Sequence, residues 1–227
     1  MKIGVLLSGC GVYDGAEIQE AVFTLLAIEE QGAEAVCIGI DKEQHHVINH
    51  TNGEEMSPSR NMLVEAARIA RGNIQEISSV DPADLDALVI PGGFGSAKNF
   101  TKWAFEGPKG EILPEVKLLL VNLINIGKPI AALCVSPVVV AKALEDSTFK
   151  PNLTIGSSEA ASEYEITGFQ EGLSATGAST QNKLNNEILV DEKLKIVTAP
   201  CYMMETNLVT LRNNISDAVK ATIGLVG

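Results

Sequence analysis

The chain has 227 residues, 45% of them hydrophobic, enough to bury a full core, so a single domain over residues 1–227 is expected. Its 29 acidic and 17 basic residues give a formal charge of −12, which opposes nonspecific binding to nucleic acid or to an anionic membrane surface. No run reaches the roughly 18 apolar residues of a transmembrane helix, so neither nucleic acid nor membrane is expected as a partner.

Residues 2–8 have a short apolar core and run straight into Gly9-Cys10-Gly11. They are too few for a secretory h-region and lack an A-x-A cleavage pattern, so they read as a first strand of a cytoplasmic protein. Across residues 15–31, Ile18, Ala21, Val22, Leu25 and Leu26 recur at helical spacing, one apolar stripe expected to face a sheet. Asp14-Gly15-Ala16-Glu17 fits an acidic capping box, and Gly32 ends the helix. The glycines at 9, 11 and 15 miss the dinucleotide fingerprint, whose third glycine would fall on Asp14, and no cofactor is expected. Glu20 falls on the polar side of this helix by angular count. A solvated carboxylate is the plain reading there, and a proton shuttle leaning over the sheet edge is the functional one.

Residues 33–40 complete a βαβ opening, 47–56 form a hairpin about Asn52-Gly53, and 57–71 form a helix. The three histidines, His45, His46 and His50, share this region and read as a solvated turn, with no metal expected. Residues 86–90 are a buried strand leading into a glycine-rich loop, Pro91 to Asn99, at the sheet edge where open α/β folds place ligands. A helix over 113–126 is closed by Gly127, a strand over 129–133 delivers Cys134, and a helix follows over 137–144. Short strands are expected at 152–156, 187–190 and 194–199, then a closing helix over 205–226. This alternation predicts an α/β, flavodoxin-like fold: a mostly parallel sheet covered by helices on both faces, with a nucleophile elbow.

Two readings of Cys134 stand on the local pattern. Free cysteine often packs as a small hydrophobe. A cysteine between a strand and a helix also sits at an elbow where helix N–H groups favour a thiolate, and small neighbours such as Ala132 and Ser136 permit so tight a turn. Gly92 and Gly93 either form a plain turn or offer N–H groups beside that of Val135 as an oxyanion hole. Lys98 and Asn99 follow as substrate contacts or as solvated loop polars. Cys10, Cys201 and Tyr202 also stand at strand ends, Cys37 reads as core, and no C-x-x-C pair is present.

Three segments together resemble the ElbB family, within the class I glutamine amidotransferase-like and PfpI superfamily. They are Ser8-Gly9-Cys10-Gly11-Val12-Tyr13-Asp14-Gly15-Ala16-Glu17-Ile18-Gln19-Glu20-Ala21, then Pro91-Gly92-Gly93-Phe94-Gly95-Ser96-Ala97-Lys98-Asn99, then Cys134 with Pro137. The resemblance spans nearly the whole chain. It implies a nucleophilic Cys134 partnered by Glu20 near the start of the first helix, a glyoxalase activity, a link to isoprenoid biosynthesis and a homodimer. The chain departs from the superfamily in two places: no histidine follows His50, and Gln19 stands where ElbB relatives commonly have histidine.

The expected function is a cofactor-independent glyoxalase turning small 2-oxoaldehydes such as methylglyoxal and glyoxal into 2-hydroxy acids, through a Cys134 hemithioacetal with Glu20 moving the proton. The alternatives are a non-catalytic sensor of oxidants or electrophiles, or a pathway-interaction protein. Glutamine amidotransfer is disfavoured by the missing histidine.

Overall fold

Strand β4 (Ala87–Ile90) is the middle of a seven-stranded sheet in the computed structural model, which describes residues 1–227. Towards one edge lie β1 (Lys2–Leu6), β2 (Glu34–Gly39) and the two-residue β3 (Gln75–Glu76). Towards the other lie β5 (Ile130–Leu133), β9 (Ile196–Ala199) and β8 (Leu189–Asp191). Only β8 runs antiparallel to its neighbour, so the sheet is mostly parallel and flavodoxin-like, as the alternating pattern predicts. Every residue of β4, β5 and β9 is buried. Successive strand residues point to opposite faces, so both faces must be covered.

The cover comes from α1 (Ile18–Glu30) packed on α7 (Leu208–Gly224), and from α4 (Pro114–Asn125) packed on α5 (Pro137–Leu144). The remaining helices are α2 (Met62–Ile69), the single-turn α3 (Trp103–Glu106) and α6 (Ile166–Ala175). A separate parallel pair joins β6 (Asn152–Leu153) to β7 (Ser179–Thr180). Sequence periodicity missed β3, β7, the single-turn α3 and α6. The first two are two residues long, and α6 carries glycines at 168 and 172 that interrupt its apolar pattern. The helix expected over 57–71 is shorter because Asn61 caps it, its side chain accepting the Val64 N–H at 3.1 Å.

The face of α1 corrects the expected stripe. Ala21, Thr24, Ala27 and Ile28 are buried, whereas Ile18, Val22 and Leu26 are 47%, 46% and 41% exposed. The inward side consists largely of small residues, and α7 packs on this helix. That rotation also turns Glu20 inward, to 0% exposure.

Candidate active site

Cys134 follows β5 directly and has a φ of +56°, in the left-handed region that non-glycine residues rarely occupy. A conformation of this kind costs on the order of 1–3 kcal/mol and persists only when its surroundings fix it. The fixing contacts are visible. The Cys134 N–H donates to Ala199 O on β9 at 2.9 Å, and the buried Ser136 hydroxyl donates to Pro91 O at 2.8 Å. The Ser136 hydroxyl also lies 2.8 Å from that of Ser96, so the elbow and the glycine-rich loop are pinned together. Pro137 then opens α5 at its first position, where a missing N–H costs nothing.

Glu20 reaches the same point from the first turn of α1. Its Oε2 accepts the Gly92 N–H at 2.8 Å, its Oε1 accepts the Tyr202 N–H at 3.3 Å, and the Cys134 thiol donates to the carboxylate. Burial, then the nearby Glu17 carboxylate, pushes the Glu20 carboxyl up to about 8, with these hydrogen bonds opposing. Burial also holds the Cys134 thiol well above the ordinary cysteine range; Glu20 and Cys201 push the same way and the Gly93 N–H opposes. Burial and the neighbouring carboxylate thus oppose the thiolate expected from the helix start.

The glycine-rich loop divides its roles. A side chain at Gly92 would place its Cβ 2.4 Å from both Cys134 Cβ and Glu20 Oε2, so only glycine lets the pair close. Its N–H is engaged by Glu20, so Gly92 is not an oxyanion donor as expected. Gly93, with φ +99°, donates towards the Cys134 sulfur, and neither its N–H nor that of Val135 donates to any oxygen of the protein. Both residues line a chamber of about 20 Å³ at the thiol, together with Phe94, Tyr164 and Phe169. Both N–H groups therefore stand beside the thiol without an oxygen acceptor in the protein.

Lys98 and Asn99 do not line this chamber. The Lys98 ammonium donates to Tyr13 O at 2.9 Å and sits 5.4 Å from the centre of the Phe94 ring. Asn99 donates to Ser8 O and Asp14 O at 2.8 and 2.9 Å and accepts the His45 N–H at 2.8 Å, tying three loops together. The capping box is also revised. Glu17 is itself the cap of α1, accepting the Glu20 N–H at 2.7 Å, while Asp14 accepts the Ile48 N–H at 2.7 Å.

One residue of the chamber carried little signal in the sequence. Tyr164 arrives on an irregular segment and lines the same chamber as the thiol, its ring edge-on to Phe94 at 5.9 Å. Cys201, fully buried after β9 with a φ of +48°, makes a second tight turn beside the first. None of the three histidines lines the chamber. His50 instead stacks on Tyr13 at 4.9 Å and accepts its N–H at 3.2 Å. No group of three His, Cys, Asp or Glu side chains is placed to hold a metal ion.

No family model matches the chain. Known proteins nevertheless resemble it over its full length. The human protein named glutamine amidotransferase-like class 1 domain-containing protein 3, mitochondrial, is 39% identical over all of this chain and 84% of its own length. The chain belongs to the ElbB-like branch of the class I glutamine amidotransferase-like family. The rat ES1 protein homolog, mitochondrial, has the same identity and coverage. The crystal structure of an isoprenoid biosynthesis protein with amidotransferase-like domain from Ehrlichia chaffeensis superposes with a TM-score of 0.89, at 33% identity and with both chains fully covered. Glyoxalase III from Candida albicans, 16% identical with 97% of each chain covered and a TM-score of 0.60, shares the fold.

These relatives correct the cytoplasmic expectation, because the human, rat and zebrafish members of this family are named as mitochondrial. The lack of a secretory h-region and of a membrane span does not bear on a mitochondrial address, which a receptor reads from an amphipathic, arginine-rich segment.

Proposed function

We propose that the chain is a cofactor-independent glyoxalase acting on small 2-oxoaldehydes. The observation that carries this reading is the buried Cys134 thiol donating to the Glu20 carboxylate, beside two N–H groups, of Gly93 and Val135, that donate to no protein oxygen.

Glu20 takes the thiol proton as the sulfur adds to the aldehyde carbon, and the new oxyanion forms against the Gly93 and Val135 N–H groups. The proton passes to that oxygen, giving a hemithioacetal. Glu20 then removes the hydrogen on the former aldehyde carbon and returns it to the adjacent carbon, while the hydroxyl proton moves to the neighbouring oxygen. The product is a 2-hydroxyacyl thioester on Cys134. Water cleaves it, releasing the 2-hydroxy acid and restoring the thiol. The sum is one 2-oxoaldehyde plus one water to one 2-hydroxy acid.

Two other readings fare worse. A cysteine that senses oxidants needs a lowered thiol pKa, and burial drives Cys134 the other way. Amide hydrolysis of the amidotransferase kind relies on a histidine beside the nucleophile, and none lines the chamber. The Ehrlichia protein is described as an isoprenoid biosynthesis protein, and we extend that link to this chain on their full-length identity of 33%. Turnover tests the reaction: the protein should form lactate from methylglyoxal with no cofactor added, and no lactate would count against this reading.

A further inference from the structure

Asn214 interrupts an apolar face. It lies on the inward side of α7 with Leu211, Ile215, Ala218 and Val219, and is 1% exposed. A leucine of nearly the same shape would continue that face, and a buried amide is costly unless both its ends are bonded. Both ends are bonded here. Its Oδ1 accepts the Cys201 N–H at 3.1 Å and its Nδ2 donates to Glu187 O at 2.7 Å. Exchanging the two ends would set donor against donor and oxygen against oxygen, so the partners fix the orientation of the amide.

The bond to Cys201 leads to the thiol chamber. Cys201 opens the 3₁₀ turn Cys201–Met203, whose first N–H groups find no acceptor inside the turn. Its backbone is held in the left-handed region, which persists only where the surroundings impose it. The Asn214 oxygen accepts that first N–H. The next N–H along the chain, of Tyr202, is the one that donates to Glu20 Oε1 at 3.3 Å. Asn214 therefore reaches the Glu20 carboxylate through one turn, yet it lines neither the thiol chamber nor the larger cavity outside it.

We propose that Asn214 is a positioning residue for Glu20: it holds the Cys201 turn, and through it the Tyr202 N–H, against the carboxylate. The chemistry at Cys134 then depends on a side chain of α7 that meets no substrate. The Tyr202 N–H favours the ionised carboxylate, so losing it raises the Glu20 carboxyl further. The titratable groups facing Glu20 are Glu17, Cys134, Cys201, Tyr202 and Tyr164, and all of them stay in place when Asn214 is replaced.

Asn214→Leu removes both hydrogen bonds with little change of volume. Alkylation of Cys134 by iodoacetamide, a neutral reagent, is followed across pH by peptide mass spectrometry in wild type, Asn214→Leu and Ile77→Ala. Ile77, buried beyond β3 at the far edge of the sheet, controls for a general loosening of the fold. From about 8 in wild type, the midpoint should rise by about half a pH unit or more in Asn214→Leu and stay in place in Ile77→Ala. An unmoved midpoint in Asn214→Leu, or an equal rise in Ile77→Ala, would overturn the proposal. If Asn214→Leu does not fold, Asn214→Ser, which adds no bulk and cannot span both partners, is read in the same way. A raised midpoint supports the proposal and an unmoved one overturns it.

A turnover arm rests on the glyoxalase reading. With methylglyoxal, kcat should fall about tenfold in Asn214→Leu at unchanged KM, and a change confined to KM would overturn the proposal. A raised midpoint in a protein whose wild type forms no lactate would remove the glyoxalase reading alone. Lactate from wild type with an unmoved midpoint would remove this inference alone.

Discussion

The Glu20 carboxylate and the Cys134 thiol share a hydrogen bond in a site where Glu20 is fully buried and Cys134 is 7% exposed. Their elements meet because β1, which precedes α1, lies beside β4, which lies beside β5. The Gly92 and Tyr202 N–H groups fix the carboxylate, so the thiol proton has one acceptor in a defined position.

The pair predicts a rate that rises with pH. Glu20 accepts the thiol proton only when ionised, and its carboxyl is pushed up to about 8. Alkylation of Cys134 by iodoacetamide, followed by peptide mass spectrometry from about pH 6 to about pH 10, should increase through that value. Glu20→Gln should lose this step and should lower turnover by about 10²–10⁴-fold. A flat wild-type profile through pH 8 would contradict the assignment.

Stability should move the opposite way with pH. A carboxyl raised from 4.5 in the unfolded chain to about 8 in the fold holds its proton more tightly when folded. Its contribution is complete below the lower value and is lost as pH rises through the upper one. Thermal melts should therefore show wild type losing stability across that window by up to about 1.4 kcal/mol per pH unit, with Glu20→Gln losing less. Glu17, also raised chiefly by burial, adds to the trend in both proteins.

Gly92→Ala should damage the site while sparing the sheet. The new Cβ, 2.4 Å from Cys134 Cβ and Glu20 Oε2, must displace one of them. Overpacking of this kind costs about 1–3 kcal/mol, and a shift near 1 Å in a reacting group costs about 10²-fold in rate. Chemical denaturation and methylglyoxal turnover check the two parts separately.

Ser136→Ala should loosen the elbow. It removes the hydroxyl that donates to Pro91 O and faces Ser96, leaving two buried polar groups short of a partner. The expected loss is about 1–3 kcal/mol in denaturant melts, with slower turnover from the freed loop. Unchanged stability would mean that the strained Cys134 backbone is held by β9 alone.

Most of the sheet was legible because β1, β4 and β5 are largely apolar runs that lead into a glycine-rich loop or the elbow cysteine. The helical period placed α1 but not its face. Ile18, Val22 and Leu26 make the more conspicuous stripe, yet the buried side is formed by Ala21, Thr24, Ala27 and Ile28. For that reason Glu20 counted as a surface residue by angle and was identified only by resemblance to a family. The thiol's protonation depends on burial, which local sequence does not encode, and Tyr164 reaches the site on a segment with no period at all. Gly92 and Gly93 were recognisable as a pair, but their division into a support for Glu20 and a donor beside the sulfur follows from how β4 meets α1.

The central claim is that Cys134 and Glu20 together perform carbonyl addition and proton transfer. Lactate formation from methylglyoxal, followed for wild type, Cys134→Ala and Glu20→Gln at one pH above 8, tests it most directly. The account predicts lactate from wild type, none above background from Cys134→Ala, and a severe loss in Glu20→Gln. Turnover by Cys134→Ala equal to wild type would contradict it.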